Sequence, residues 1–268
     1  MDILKSGFVI GPDGNPEVEQ IQSDYARIVP EANSTWPGMG IGIAVSVDRV
    51  RKFVTPIAYG TVHIVPWQTL DFASPQEWWS WCREDRAISA ETAFAVADMF
   101  DFSYGMNDGS AGRPEATILW KMAASNLADV ANNLPVASGV DSVIQPICMI
   151  AELSLKALLV ACGDSPDDLK GKYGHNLAKL VQAVALTKPH RDDALLENLI
   201  ANLPPYVASR YGPAGLTRLK VVRLALGAQF VAASTLRRVS SRDMAQGFET
   251  SVFPGKRVPF FSSTATKL

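Results

Sequence analysis

The sequence is poor in the residues that build metal centres and disulfide frameworks. It holds three cysteines and three histidines in 268 residues, and Cys82, Cys148 and Cys162 share no metal-ligand spacing. An odd number of cysteines without a pairing pattern is typical of a reducing compartment. We therefore expect free thiols, no bound metal and no cofactor.

The chain also lacks a long apolar run without interruption. Its longest apolar stretch, residues 143–160, contains Pro146, Glu152 and Lys156, and charges inside a membrane span are costly. The first residues lack the charged-then-apolar layout of a signal peptide. With 47% hydrophobic and 19% charged residues, these absences favour a globular protein in the cytoplasm that binds no membrane.

Charge is unevenly distributed along the chain. Residues 1–110 carry 15 acids and 7 bases, and residues 111–268 carry 12 acids and 18 bases, so the two halves have formal charges of −8 and +6. Such a distribution favours an anionic partner or pairing between the two halves, with a solvated basic face as the alternative. Seven bases follow one another without an intervening acid: Arg210, Arg218, Lys220, Arg223, Arg237, Arg238 and Arg242.

Turn-forming residues at 107–112 predict a boundary between two regions. Before the boundary, residues 41–47 and 53–65 are rich in β-branched residues and are expected to be extended. Ser74-Pro75-Gln76-Glu77 is a capping box that predicts the start of a helix. Residues 1–110 are therefore predicted to be a smaller α+β region of unknown type. Further helices are expected over 16–29 and 89–100.

After the boundary the pattern is helical. Short links between the predicted helices indicate a compact antiparallel bundle over residues 111–242, so the fold class is mainly α. Residues 243–268 are predicted to be an extended aromatic tail that lies across a surface groove or reaches a neighbouring subunit. The bundle helices are expected at about 114–134, 141–162, 175–186, 191–202 and 213–239.

Three ionisable groups are predicted to meet inside this bundle. Glu152 and Lys156 are four residues apart on one helix, in the favourable acid-first order, and His175 begins the next apolar-periodic segment. Glu152 and Lys156 are expected to form a structural pair. His175 has two interpretations, a general acid or base and a partner that satisfies the carboxylate of Glu152.

A resemblance to a known family rests on three short motifs in order. Glu152-x-x-x-Lys156, then Gly174-His175-Asn176-Leu177, then Tyr206-x-x-x-Arg210-Tyr211 is similar to the HEPN superfamily of small helical bundles, over residues 112–240. The resemblance implies a homodimer that works in bacterial defence, stress response or a toxin–antitoxin pair. Ribonuclease members carry Arg-x(4–6)-His, whereas here Lys170 stands five residues before His175 and no arginine has that spacing.

These observations lead to three hypotheses. The first is a non-catalytic HEPN-like module that binds RNA, a nucleotide or a partner protein. The second is a divergent, metal-independent endoribonuclease with His175 as its catalytic residue. The third is a protein-interaction factor without nucleic-acid binding, whose partner contacts Trp78, Trp79 and Trp81. The candidate binding residues are Lys170, Asn176, Tyr206, Arg210, Tyr211, Arg237 and Arg238.

Overall fold

The computed structural model describes residues 8–10, 16–29, 38–59, 63–109, 113–136, 139–205 and 215–261. The fold is mainly helical, with a small antiparallel sheet near the N-terminus, as the sequence predicts. Its elements are β1 (Phe8–Ile10), α1 (Pro16–Ile28), β2 (Gly40–Ser46), β3 (Arg49–Thr55), β4 (Ile57–Tyr59), α2 (Pro66–Thr69), α3 (Pro75–Trp81), α4 (Arg86–Gly109), α5 (Pro114–Asn133), α6 (Asp141–Ala161), α7 (Pro166–Asp168), a π-helical turn (Leu169–Tyr173), α8 (Leu177–Thr187), α9 (Asp193–Ile200), α10 (Arg218–Arg237) and α11 (Met244–Glu249).

The strands form two antiparallel pairs, β1 with β4 and β2 with β3. In the β2–β3 hairpin, Gly40 lies opposite Thr55 and Ser46 lies opposite Arg49. A Cβ atom on Gly42 would stand 2.3 Å from Cγ of Met99, a separation that no real side chain tolerates. Glycine at this position therefore lets β2 pack directly against α4.

Helix α10 runs through the middle of the fold and is buried on all sides. Every residue from Leu224 to Arg237 is buried, and the helix contacts α4, α5, α6, α9 and β2. Within it, the Gln229 side chain accepts a hydrogen bond from Ile43 N (2.9 Å) and donates to the carbonyls of Ile43 (3.2 Å) and Ala95 (3.0 Å). One buried amide thus joins α10 to the edge of β2 and to α4.

The two predicted regions share one hydrophobic core. Ile43 and Phe53 of the hairpin belong to the same buried cluster as Trp120 of α5, Leu155 of α6 and Phe230 of α10. Residues 107–109 of the predicted boundary are the last residues of α4, residues 110–112 lie outside the described part, and one core serves the helices on both sides.

Two helices, α6 and α10, are long and apolar enough to cross a membrane by length and composition. In the fold, 78% of the apolar window of α6 and 83% of that of α10 is buried inside the protein. Core helices have this property, because a helix that is apolar all round must be covered on every side.

Arg237, at the end of α10, carries a buried charge. Its side chain is fully buried and bonds to Asp101 (2.7 Å), Asp98 (2.5 Å) and Asp192 (3.4 Å). Burial alone lowers the pKa of Arg237, but attraction from the three carboxylates outweighs it and raises the pKa above its ordinary value. Arg257 binds the same Asp98 through two hydrogen bonds of 2.7 and 2.8 Å.

The prediction that Arg237 and Arg238 are binding residues is wrong, because both side chains are buried in ion pairs. Arg238 lies 2.7 Å from Asp193 and donates to the carbonyl of Lys188. The other predicted alternative, pairing between the two halves of the chain, applies to three of the seven bases: Arg237 pairs with Asp98 and Asp101, Arg223 with Glu91, and Arg242 with Asp108. Arg238 pairs within its own half.

The aromatic tail lies across its own chain. Its first part is helical rather than extended, since Met244–Glu249 forms α11. The following residues 250–261, which we call the C-terminal strap, place the Phe253 ring 6.5 Å from Trp78 and the Phe260 ring 5.3 Å from Phe230. The tail therefore packs on the surface of its own chain, which was one of the two predicted alternatives. Residues 262–268 lie outside the described part.

Replacing Arg237 by methionine is expected to lower the free energy of unfolding by about 3–5 kcal/mol, because each of three buried carboxylates loses a cationic partner and Asp98 keeps only Arg257. The matched control is Arg242→Met, whose pair with Asp108 is half exposed and is worth about 0–1 kcal/mol. Urea denaturation of both variants checks the difference, and equal stabilities would contradict the structural role of Arg237.

Candidate functional site

The Gly-His-Asn-Leu motif forms the turn that leads into α8. Gly174 has φ +55° and ψ −119°, a conformation that side chains with a Cβ atom avoid. Two residues later, the side-chain oxygen of Asn176 accepts a hydrogen bond from Lys179 N at 3.0 Å and caps α8. In this motif the glycine forms the turn, the asparagine caps α8, and the histidine lies between them.

His175 meets the acid and the lysine of α6, as the sequence predicts. Nδ1 of His175 lies 3.0 and 3.1 Å from the two carboxylate oxygens of Glu152. Nζ of Lys156 donates to the same carboxylate at 2.7 Å. Because both carboxylate oxygens face Nδ1, the tautomer with its proton on Nδ1 fits this contact. Glu152 thus orients the imidazole ring.

Burial falls steeply across this cluster. The side chain of Glu152 is 3% exposed, that of Lys156 13% and that of His175 61%. The cluster therefore leads from a buried carboxylate to a ring at the surface. One turn before Glu152, burial and then the charge of Glu152 raise the pKa of Cys148 to about 12, so this thiol is a poor nucleophile at neutral pH.

A cavity of about 600 Å³ lies beside His175, between α8, α9 and the segment that follows α9. Among its described lining residues, His175 and Glu197 are the ionisable side chains, and none is lysine or arginine. Most of the others are apolar. The lining residues are His175, Asn176, Leu177, Ala178, Val181, Gln182, Glu197, Ile200, Ala201, Leu203, Pro204 and Pro205.

Of the other predicted binding residues in the described part of the chain, Asn176 lines the cavity and Lys170 does not. Lys170 is exposed in the π-helical turn and is absent from the described lining of the cavity. Asn176 lines the cavity, but its side-chain oxygen is engaged in the α8 cap. Tyr206, Arg210 and Tyr211 lie outside the described residues.

The predicted tryptophan surface serves mainly the protein's own packing. Trp78 donates to the hydroxyl of Thr92 at 3.0 Å, and the Trp81 ring lies 5.5 Å from that of Phe72. Trp79 is the exposed member of the three, with 39% of its surface accessible. A partner contact through these residues stays a prediction.

The sequence reasoning missed the polar residues that organise the core. Asp98 and Asp101 interrupt the apolar face of α4, Gln229 interrupts α10, and Arg257 reaches Asp98 from the strap. The signal that could have identified them is a lone polar residue within a strongly apolar helix. Such a residue must find a partner when it is buried.

Comparison of the chain with family models, curated proteins and solved structures gave no match. The HEPN resemblance therefore remains a prediction. Within the described part of the chain, no group of three or more histidine, cysteine, aspartate or glutamate side chains is placed to hold a metal ion.

A double-mutant cycle tests the Glu152–Lys156 pair. Glu152→Leu and Lys156→Met should each destabilise the fold by as much as about 3–5 kcal/mol, since each removes one member of a buried ion pair. The double variant should lose less than the sum, with a coupling energy of about 0.5–3 kcal/mol from urea denaturation.

The chain supplies a matched control for this cycle. Asp168 and Lys172 have the same four-residue spacing and a 3.2 Å contact, with side chains 42% and 55% exposed. Their coupling should be about 0.3–0.5 kcal/mol. A Glu152–Lys156 coupling no larger than this would show that burial adds nothing to the pair.

Proposed function

We propose that this protein is a non-catalytic, HEPN-like binding module that holds a segment of a partner protein in the cavity between α8 and α9. The observation that carries the proposal is the character of this cavity. Its volume is about 600 Å³, within the range of about 300–1,000 Å³ that is usual for small-molecule sites, and most of its described lining is apolar.

The charge of the cavity favours a polypeptide over RNA. Nucleic-acid binding depends on lysine and arginine at the phosphates, and the described lining residues include neither. Glu197 adds a negative charge, and the side chains of Arg237 and Arg238 are buried elsewhere. Apolar side chains of a partner are therefore the better match.

His175 supplies a fixed polar group at the edge of this apolar surface. Its ring is exposed but oriented by Glu152 at 3.0 Å, and binding sites commonly combine apolar walls with a few such placed polar groups. The HEPN resemblance adds a setting, a homodimer in bacterial defence, stress response or a toxin–antitoxin pair. A second copy of the chain is then one form of the partner.

Site-specific photo-crosslinking tests the proposal. Ala178 is exposed and lines the cavity, so benzoylphenylalanine placed there should form a discrete protein adduct when native cells are irradiated. The same probe at Leu186, which is 84% exposed on the same helix but outside the described lining, is the control. The mass of the adduct distinguishes a second copy from a different protein.

A blocking variant makes this result specific. Ala201→Arg places a long cation in the cavity from the exposed residue that follows α9, so it should abolish the adduct at position 178 without unfolding the protein. Persistence of the adduct, or crosslinking to RNA in place of protein, would contradict the proposed site.

A divergent endoribonuclease is the second candidate, and one observation favours it. An exposed imidazole with Nδ1 on a buried carboxylate is the usual arrangement of a general base and its orienting group. The absence of an arginine at nuclease spacing speaks against it, because lysine is not equivalent in phosphate binding.

Incubation of the purified protein with labelled RNA in a chelator separates the two functions. The binding module should leave the RNA intact. Cleavage that His175→Ala abolishes, and that His63→Ala at an exposed position preserves, would establish the nuclease instead.

A further inference from the structure

A second cavity lies on a different part of the molecule, beneath the C-terminal strap. Its volume is about 370 Å³, and its walls come from the first turns of α4, from α10 and from the strap. The apolar side chains include Phe94, Leu226 and Phe260. This volume is in the usual range for a small ligand.

Cations outnumber acids around this cavity. The lining contains Arg86, Arg223, Lys256 and Arg257, against Glu91 and Asp98. Both acids are already paired within the protein, Glu91 with Arg223 and Asp98 with Arg257. The lining therefore has two positive charges in excess.

The excess cations are Arg86 and Lys256, and both are exposed. Arg86 donates to the carbonyl of Val252 at 2.8 Å, and neither side chain has a carboxylate partner in the described part of the chain. The first backbone N–H groups of α4 are bonded to Asp85. The positive charge available to a ligand is thus that of side chains rather than of the helix end.

One lining side chain, that of Arg257, is fixed within the protein. Arg257 has a side chain only 6% exposed, and its Nε has no hydrogen-bond partner within the described residues. Its guanidinium stacks on the Phe94 ring at 4.3 Å. Arg257 is therefore part of the cavity wall, and its charge is paired with Asp98.

We propose that this cavity binds a small organic anion with an apolar body, of the class of medium-chain carboxylates. Phe94, Leu226 and Phe260 surround the apolar chain, and Lys256 and Arg86 hold the carboxylate at the mouth. This site is separate from the cavity beside His175, so it stands whether or not the proposed function is correct.

The strap makes binding and local order interdependent. It forms one wall of the cavity and is held by the Arg257–Asp98 bonds and by Asn198, which exchanges hydrogen bonds with the backbone of Phe261 at 3.0 and 3.2 Å. A ligand enclosed there contacts strap and helices together. Its binding should therefore slow protease cleavage within residues 250–261.

Decanoate is the probe, and its binding to the purified full chain is measured by calorimetry. We expect one site per chain, with decanol, which has the same length but no charge, binding at least about tenfold more weakly. Lys256→Gln should weaken decanoate binding about tenfold and leave decanol unaffected, because it removes one charge-assisted contact.

Two further variants provide a second test of the site and a control. Val258→Asp places a carboxylate at a lining position that is 66% exposed, so it should repel decanoate without unfolding the protein. Lys121→Gln changes an exposed lysine on α5 outside the described lining and should have no effect. Absent or multi-site binding, equal affinity for decanol, or an equal loss in Lys121→Gln would overturn the proposal.

Discussion

The fold depends on one buried cation. A guanidinium without partners could not stay at the position of Arg237, because an unpaired charge in the interior costs far more than a domain's net stability can supply. Asp98 and Asp101 of α4 and Asp192 at the start of α9 all reach it. Three segments far apart in the sequence must therefore meet at the end of α10.

The same constraint explains the uneven charge along the chain. The acids of α4 and the bases near and within α10 neutralise each other across one interface, through Glu91 with Arg223 and Asp108 with Arg242 as well as through Arg237. Arg257 extends this pairing to the C-terminal strap. A charge pattern that resembles a nucleic-acid surface in the sequence is thus largely an internal interface.

The two cavities differ in charge because the ionisable side chains beside them have different partners. Near His175, the carboxylate of Glu152 is shared by a lysine and an imidazole, and the described lining of the adjacent cavity contains no lysine or arginine. Under the strap, two cations remain after the acids are paired. The first cavity therefore suits an apolar segment, and the second suits an anion with an apolar body.

Local signals determined much of this protein from the sequence alone. The capping residue Ser74 and the periodic apolar faces predicted most helices and the Glu152–Lys156 pair, because each depends on neighbours within a few residues or on one helix face. Tertiary structure alone decided which charges are buried, since burial depends on segments that are 45 to 139 residues apart. Arg237 and Arg238 look like exposed bases in the sequence, and only the approach of α4 and α9 makes them part of the core.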